Sequence, residues 1–382
     1  DKDKEALKSY LEDYIEPKMK KFDNLNDRLN YLVENDYYSK EILDLYDQYV
    51  IDVIYDFIRA KNFKFQSYMS ASKFYQNYAL KSNDGEEILE NYEDKVLIVA
   101  LTLGNGEPKL AKDIAEKLIN QEFQPATPTF LNAGRARGGK MVSCFLVNVE
   151  DSCEGISYAV SSANHLSKIG GGVALNLTRL RASGESIKGI KGAAGGVMGV
   201  AKLLEQSFSY FNQMGARQGA GAVYLNVLHP DFETLLDSKK INADEKIRLT
   251  TLSIGAIIPD KFMELAEKNE KCYAFYPHSI YQKYGVHLDG IKMDEWYDKL
   301  ANDDEIEKKE INPRELLTRI AQTQQESGYP YVVFIDSANE QHTLKDVGMI
   351  KMSNLCCEIF QYQTPSDIKG YGQVSDWGQD IS

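Results

Sequence analysis

The chain has 382 residues, 43% of them apolar, and a net charge of −13. That length suffices for a large core and two domains. The acidic balance argues against a nucleic-acid surface, and the lack of an apolar run near twenty residues argues against a membrane span. Five Cys without regular spacing, no Cys-x-x-Cys pair and no Cys/His cluster exclude a disulfide framework and a zinc site, and fit reduced thiols in a cytoplasm. The opening Asp1-Lys2-Asp3-Lys4-Glu5 lacks the apolar core of a signal peptide.

No Gly precedes Gly85. The opening reads as helices over 5–22, 25–34, 39–60 and 67–80, followed by 86–103 and 108–122, the last with Pro108 at its start. Leu43, Tyr46, Val50, Val53, Ile54 and Phe57 recur at three- and four-residue steps, as a buried stripe requires. Residues 1–124 are therefore expected to form a helical domain, and 125–382 a second one.

Composition then changes. Sixteen of the 27 Gly lie between Gly134 and Gly221, so tight turns and close backbone approach begin there. Strands are expected at 141–149, 173–178, 223–227, 249–258, 272–276 and 331–335. Helices are expected between them at 153–168, 196–212, 231–239, 260–268 and 313–326. The last has Asn312 as N-cap, Pro313 in its first position and Gly328 past its end. Strands alternating with helices argue for βαβ units and a parallel sheet. The acidic stretch 303–310 reads as a solvated insertion.

Chemistry concentrates in a few stretches. Met352-Ser353-Asn354-Leu355-Cys356-Cys357-Glu358-Ile359 sets a thiol two residues from an amide and two from a carboxyl. In an extended backbone Asn354, Cys356 and Glu358 share one face, while Leu355, Cys357 and Ile359 point into apolar packing. As a bare pattern this is weak, because a Cys is more often a small core hydrophobe. The segment from Gln124 to Arg135 is stiffened by two prolines and reads as a structured loop with hydroxyls and amides that could meet an anion. Cys144 sits mid-strand in Met141-Val142-Ser143-Cys144-Phe145. Asp151-Ser152 follows the Cys144 strand, Ile169-Gly170-Gly171-Gly172 leads to Arg179-Leu180-Arg181 with the run to Gly189, and Gln213 to Gly221 lies farther on; these Gly-rich loops with a cation are suited to an anionic ligand. None is a Walker A loop or a dinucleotide fingerprint. Arg135, Arg137, Arg179, Arg181 and Arg217 stand out in a Lys-rich chain, although each could be an ordinary surface cation.

Taken together and in order, these stretches resemble the large subunits of ribonucleotide reductase, most closely the class Ib branch. The match to Asn-Leu-Cys-x-Glu identifies 354–358 with the family's finger loop. The resemblance implies an N-terminal helical domain followed by the first half of a ten-stranded α/β barrel. It implies that Cys356 carries a thiyl radical, Glu358 is a base, Asn354 holds a ribose hydroxyl, and Cys144 is one of two reducing thiols. Thr127 and Ser143 would bind substrate. Asp151 would bind effector deoxyribose, Arg181 its phosphates and Ile187 its base, with Gln213, Arg217 and Gln218 relaying effector identity. Cys357 falls on a variable position; Cys153 and Cys272 match none and read as core residues.

The same resemblance implies partners. They are a ribonucleoside diphosphate substrate, a dNTP or ATP effector, and a small subunit bearing a dimanganese or diiron tyrosyl radical, with no cofactor resident in this chain. A thioredoxin- or glutaredoxin-like reductant and a second copy of the large subunit complete the set. After Asp380-Ile381-Ser382 the family continues with a second reducing Cys and a radical-transfer tyrosine pair. The rival expectation is a nucleotide-binding fragment inactive without that C-terminal half. A generic thiol-dependent α/β enzyme would leave five ordered matches to chance.

Overall fold

The computed structural model describes residues 2–211, 219–363, 367–368 and 374–376. The chain divides after Ser143 into two compact units.

The first unit is helical, as expected. Its centre is the helix Tyr92–Gly104, in which every residue from Val96 to Leu101 is buried. Such all-round burial suits a sequence without a polar face. Asn91 and Asp94 form a reciprocal capping box at its start, and Asn105 ends it in the left-handed region. The expected helix over 39–60 is instead two pieces, Lys40–Leu43 and Gln48–Ala60. Tyr46 in the break is buried; its hydroxyl donates to Leu101 O at 2.8 Å and accepts from Gly106 N at 2.9 Å. The break resets the helical phase. Ile51, Ile54 and Ile58 form the buried stripe, and Val53 is exposed. The segment from Gln124 to Arg135 is also not a loop throughout, since Thr127–Asn132 is a short helix.

A buried charge cluster ties this unit together. Glu90 and Lys95 are fully buried with Nζ 3.6 Å from Oε2. Arg135 Nη2 reaches the same oxygen at 2.9 Å, Leu80 N donates to it at 2.8 Å, and Tyr38 donates to Oε1 at 2.5 Å. Burial pushes the Glu90 carboxyl up, but the Arg135 and Lys95 cations and the Tyr38 hydroxyl outweigh it and hold Glu90 at about 2. Arg135 and Lys95 also donate to Leu131 O, so the cluster fixes the end of the Thr127–Asn132 helix.

The second unit is built on a parallel sheet. Strands β1 (Cys144–Asn148), β2 (Gly172–Asn176), β3 (Ala220–Asn226), β4 (Ser253–Ile258) and, after an excursion, β7 (Tyr331–Phe334) lie side by side in chain order. All four pairings are parallel. The excursion holds the antiparallel pair β5 (Cys272–Phe275) and β6 (Lys308–Ile311). The expected solvated insertion therefore ends in a strand: Lys308, Lys309 and Glu310 pair with residues of Cys272–Phe275. The helices Pro277–Tyr284, Met293–Ala301 and Ile335–Gln341 were not anticipated. Met293, Tyr297 and Leu300 are the buried residues of the second. Three apolar anchors in a nine-residue charged segment give a weak periodic signal.

The sheet has two unlike faces. On the outer face Val147, Val173, Leu175, Val223 and Leu225 pack with residues of the flanking helices Cys153–Lys168 and Val197–Tyr210. On the inner face Leu146, Ala174, Ala222, Tyr224, Ile257 and Val333 form a smaller cluster with Met352, packed by Leu355, Cys357 and Ile359. No described helix is long and apolar enough to cross a membrane.

The charge cluster makes a stability prediction. Glu90→Ala leaves Lys95 and Arg135 buried without their shared carboxylate and is expected to cost about 3–5 kcal/mol. Urea unfolding of the variant checks this; a loss under about 1 kcal/mol would show that the cations find other partners.

Candidate functional site

The stretch 352–359 is not extended. Leu355 and Cys356 form a turn, and Cys357 takes a left-handed φ of 63°. The alternation expected of a strand is thus replaced by a bracket built on Asn354. Its side chain is fully buried, and Oδ1 accepts from both Glu358 N and Ile359 N at 2.9 Å. Its carbonyl accepts from Cys357 N at 3.2 Å and from the Tyr224 hydroxyl at 2.7 Å. Ser353 Oγ donates to Ile359 O at 2.8 Å, closing the bracket. Nδ2 of Asn354 is buried and has no partner among the described residues. A buried donor left unpaired costs about 1–3 kcal/mol, so the bracket holds a group ready to donate to an oxygen.

The turn sorts the two adjacent thiols. Cys357 packs on the inner face of the sheet, with Sγ 3.6 Å from Val332 O. Cys356 is exposed at the turn. The apolar orientation expected of Leu355, Cys357 and Ile359 holds, although the backbone reaches it by a turn. Glu358 lies beyond the turn with Oε1 3.9 Å from Cys144 Sγ. Cys144 opens β1 two residues before inner-facing Leu146, so alternation puts its sulfur on the same inner face. A thiol and a carboxyl 214 residues apart in the chain are thereby brought together.

Tyr224 sets the depth of this arrangement. It pairs in register with Gly255, and Gly255 pairs with Tyr331. A Cβ on Gly255 would lie 2.3 Å from the Tyr224 ring. Glycine there lets the ring lie across β4 while its hydroxyl reaches the turn. Thr127 and Ser143 belong to the first unit. Thr127 is exposed, with Oγ1 3.2 Å from the Tyr78 hydroxyl, and Ser143 is half-buried.

A second group of expected residues gathers beyond β1 and β2. Arg181 Nε lies 2.8 Å from Asp151 Oδ2, its backbone N–H donates to Asp151 Oδ1 at 3.2 Å, and Nη1 donates to Ser186 O at 3.1 Å. Ile187 follows Ser186 and is 38% exposed, available to an apolar ring. Gln213, Arg217 and Gln218 lie outside the described residues. A cavity of about 280 Å³ adjoins this group, lined in part by Glu185, Ser186, His278 and Lys283. Arg179 is not a surface cation. It is buried, with Nε 2.9 Å from both Asp289 oxygens and Nη1 2.6 Å from Glu150. Cys272 is buried as expected, whereas Cys153 is exposed at the first position of its helix.

Sequence reasoning passed over Glu185, Tyr224 and His278. Glu185 had a signal, a lone acid inside a Gly/Ser/Arg loop; Tyr224 and His278 had none, because their partners are distant in the chain. Burial pushes the Glu185 carboxyl up to about 7, against the opposing N–H groups of Ala182, His278 and Ser279. A carboxyl whose folded pKa is raised contributes stability that is complete below its unfolded value and lost as pH rises through the folded one. The loop holding Glu185 is therefore expected to lose protection from hydrogen exchange between about pH 5 and pH 8 beyond the intrinsic rate change. Glu185→Gln should abolish that excess; the same excess in the variant would assign it to another group.

Comparisons with known proteins converge on one family. The description "Ribonucleotide reductase, barrel domain" matches residues 142–373, "Ribonucleotide reductase, all-alpha domain" matches 64–138, and "Ribonucleotide reductase N-terminal" matches 1–63. The ribonucleoside-diphosphate reductase subunit alpha of Bacillus subtilis is 51% identical over 382 residues, 100% of this chain and 55% of that protein. That of Mycoplasma pneumoniae is 44% identical over 380 residues, 100% of this chain and 52% of that protein. The large chain of Neurospora crassa is 30% identical over 324 residues, 84% of this chain and 34% of that protein. The chain spans about half the length of the two bacterial relatives. With a buried-amide bracket at 354–359, a thiol–carboxyl pair beneath it and all three family domains matched in order, the chain belongs to the ribonucleotide reductase large-subunit family.

Proposed function

We propose that this chain is the N-terminal part of a catalytic subunit that reduces ribonucleoside diphosphates to 2′-deoxyribonucleoside diphosphates in the cytoplasm. The observation that carries the reading is the approach of Cys144 to Glu358 beside the exposed Cys356, in a chain of this family. Cys356, as a thiyl radical, takes the hydrogen from C3′ of the ribose. Glu358 accepts the 3′-hydroxyl proton, for which a carboxylate within hydrogen-bond reach suffices. Asn354 Nδ2 donates to a ribose hydroxyl. Cys144 gives its proton to the departing 2′-hydroxyl, which leaves as water. Two electrons come from Cys144 and a second thiol as they join in a disulfide; the second thiol's hydrogen goes to C2′, Glu358 returns its proton to the 3′-oxygen, and Cys356 returns its hydrogen to C3′. Thr127 and Ser143 hold the substrate.

The second thiol and the tyrosines that deliver the radical lie, by the resemblance, in the part of the family's length this chain does not span. A small subunit with a dimanganese or diiron tyrosyl centre supplies the oxidising equivalent. A thioredoxin- or glutaredoxin-like dithiol reopens the product disulfide by exchange. Asp151, Arg181 and Ile187 form a site for a deoxynucleoside triphosphate at a contact between two large subunits. Gln213, Arg217 and Gln218 pass the effector's identity to the substrate base.

Two predictions test these roles. In enzyme completed with the C-terminal half and the small subunit, Cys356→Ser is expected to abolish CDP reduction while Cys357→Ser retains substantial turnover. Equal loss in both folded variants would mean that the radical role is misassigned. In calorimetry, Arg181→Ala should weaken dTTP binding about tenfold or more, as loss of a charge-assisted contact does. Unchanged affinity would remove Arg181 from the effector site.

A further inference from the structure

The loop 182–197 carries Arg181 at its entrance and Ile187 near its tip. Its backbone closes on itself. Gly184 N donates to Ala194 O and Ala194 N to Glu185 O, each at 3.0 Å, and Ile187 and Ile190 pair across the tip. Two stem amides, Ser183 N and Val197 N, find no partner within the loop's own hydrogen bonds and donate instead to one carboxylate. Ser183 N lies 3.1 Å from both oxygens of Asp231, and Val197 N lies 3.1 Å from Oδ2. Asp231 is 7% exposed. Among the described residues its charge is answered by amides and not by an ion pair with a lysine or arginine.

Two neighbours fix that carboxylate. Asp231 N donates to His229 Nδ1 at 3.1 Å, so the proton sits on Nε2, which donates to Leu180 O at 2.9 Å. The His229 ring thus ties Asp231 to the residue just before Arg181. On the far side of the stem Gly196 has φ 73°, and a Cβ there would lie 2.3 Å from Asp231 Oδ2. Only glycine lets the chain pass over the carboxylate.

We propose that Asp231 is the positioning residue of the effector site, a latch that holds both ends of loop 182–197 so that Arg181 and Ile187 are presented together to a deoxynucleoside triphosphate. Asp231 itself does not touch the nucleotide. The inference rests on the reading of Asp151, Arg181 and Ile187 as that site, and it names a residue outside them. A side chain that only stabilises the fold would change melting without changing the affinity of the folded protein.

The test compares wild type, Asp231→Ala, Asp231→Asn, Gly196→Ala and the Gly196→Ala/Asp231→Ala double variant. Calorimetry with dTTP is run well below each melting temperature, with hydrogen exchange of the amides alongside. Asp231→Ala and Gly196→Ala are each expected to raise the dTTP Kd about tenfold, as lost charge-assisted hydrogen bonds do, and Asp231→Asn by less. The double variant should be no weaker than the weaker-binding single variant, because both break one latch. Protection should fall at 183–197 and stay unchanged in β1, β2 and β3. Wild-type dTTP affinity in the folded variants, or additive losses in the double variant, would overturn the latch. Absence of dTTP binding in the wild-type protein would overturn the effector reading and the latch with it. If Asp231→Ala does not fold, Gly196→Ala and Asp231→Asn decide the question by the same change in Kd.

Discussion

The inner face of the parallel sheet is apolar, and the segment that covers it is 352–359. Leu355, Cys357 and Ile359 pack on Leu146, Ala174, Ala222, Ile257 and Val333. That burial removes apolar surface from water, and the chain turns back where no strand partner among the described residues satisfies its amides. Asn354 supplies the missing acceptor for two of them. Everything proposed for the site depends on this seating. The turn exposes Cys356, sends Cys357 inward and places Glu358 against Cys144.

The same physical device recurs at three other places in this unit. A buried backbone N–H without a partner is costly, and a single side-chain oxygen can answer several. Glu205 accepts from Thr251 N at 2.7 Å and Leu252 N at 3.2 Å just before β4. Glu185 accepts from Ala182 N and His278 N, and Asp231 from Ser183 N and Val197 N. Each joins segments remote in sequence. The unit is thus a rigid sheet whose loops are held by acceptors, an arrangement that fixes loop position without requiring a long loop to pack a core of its own. In the helical unit the corresponding fastener is charged on both sides. Glu90 gathers Arg135, Lys95 and Tyr38 around the end of the Thr127–Asn132 helix.

Several sequence expectations were limited by the same cause. The helix expected over 39–60 counted Tyr46 within its apolar stripe, whereas its buried hydroxyl holds a break that Leu101 and Gly106 explain. Residues 303–310 looked solvated because their charges are visible and their strand partner, Cys272–Phe275, is not. Arg135 and Arg179 stood out in the sequence but could not be told from surface cations, because Glu90, Glu150 and Asp289 are far from them in the chain. In each case a long-range partner overrode a correct local reading.

The sequence by itself determined the helical opening, the alternation that makes a parallel sheet, and the Asn-Leu-Cys-x-Glu register that marks the family. These are local patterns, carried by side-chain periodicity, by Gly placement and by residue order. Tertiary structure decided what those patterns face. It turned an expected strand at 352–359 into a bracket, brought Cys144 within 3.9 Å of Glu358, and set Asp231 across both ends of loop 182–197. The physical reason is that a hydrogen bond or a buried contact is satisfied in space, and no spacing along the chain reveals which distant atom will satisfy it.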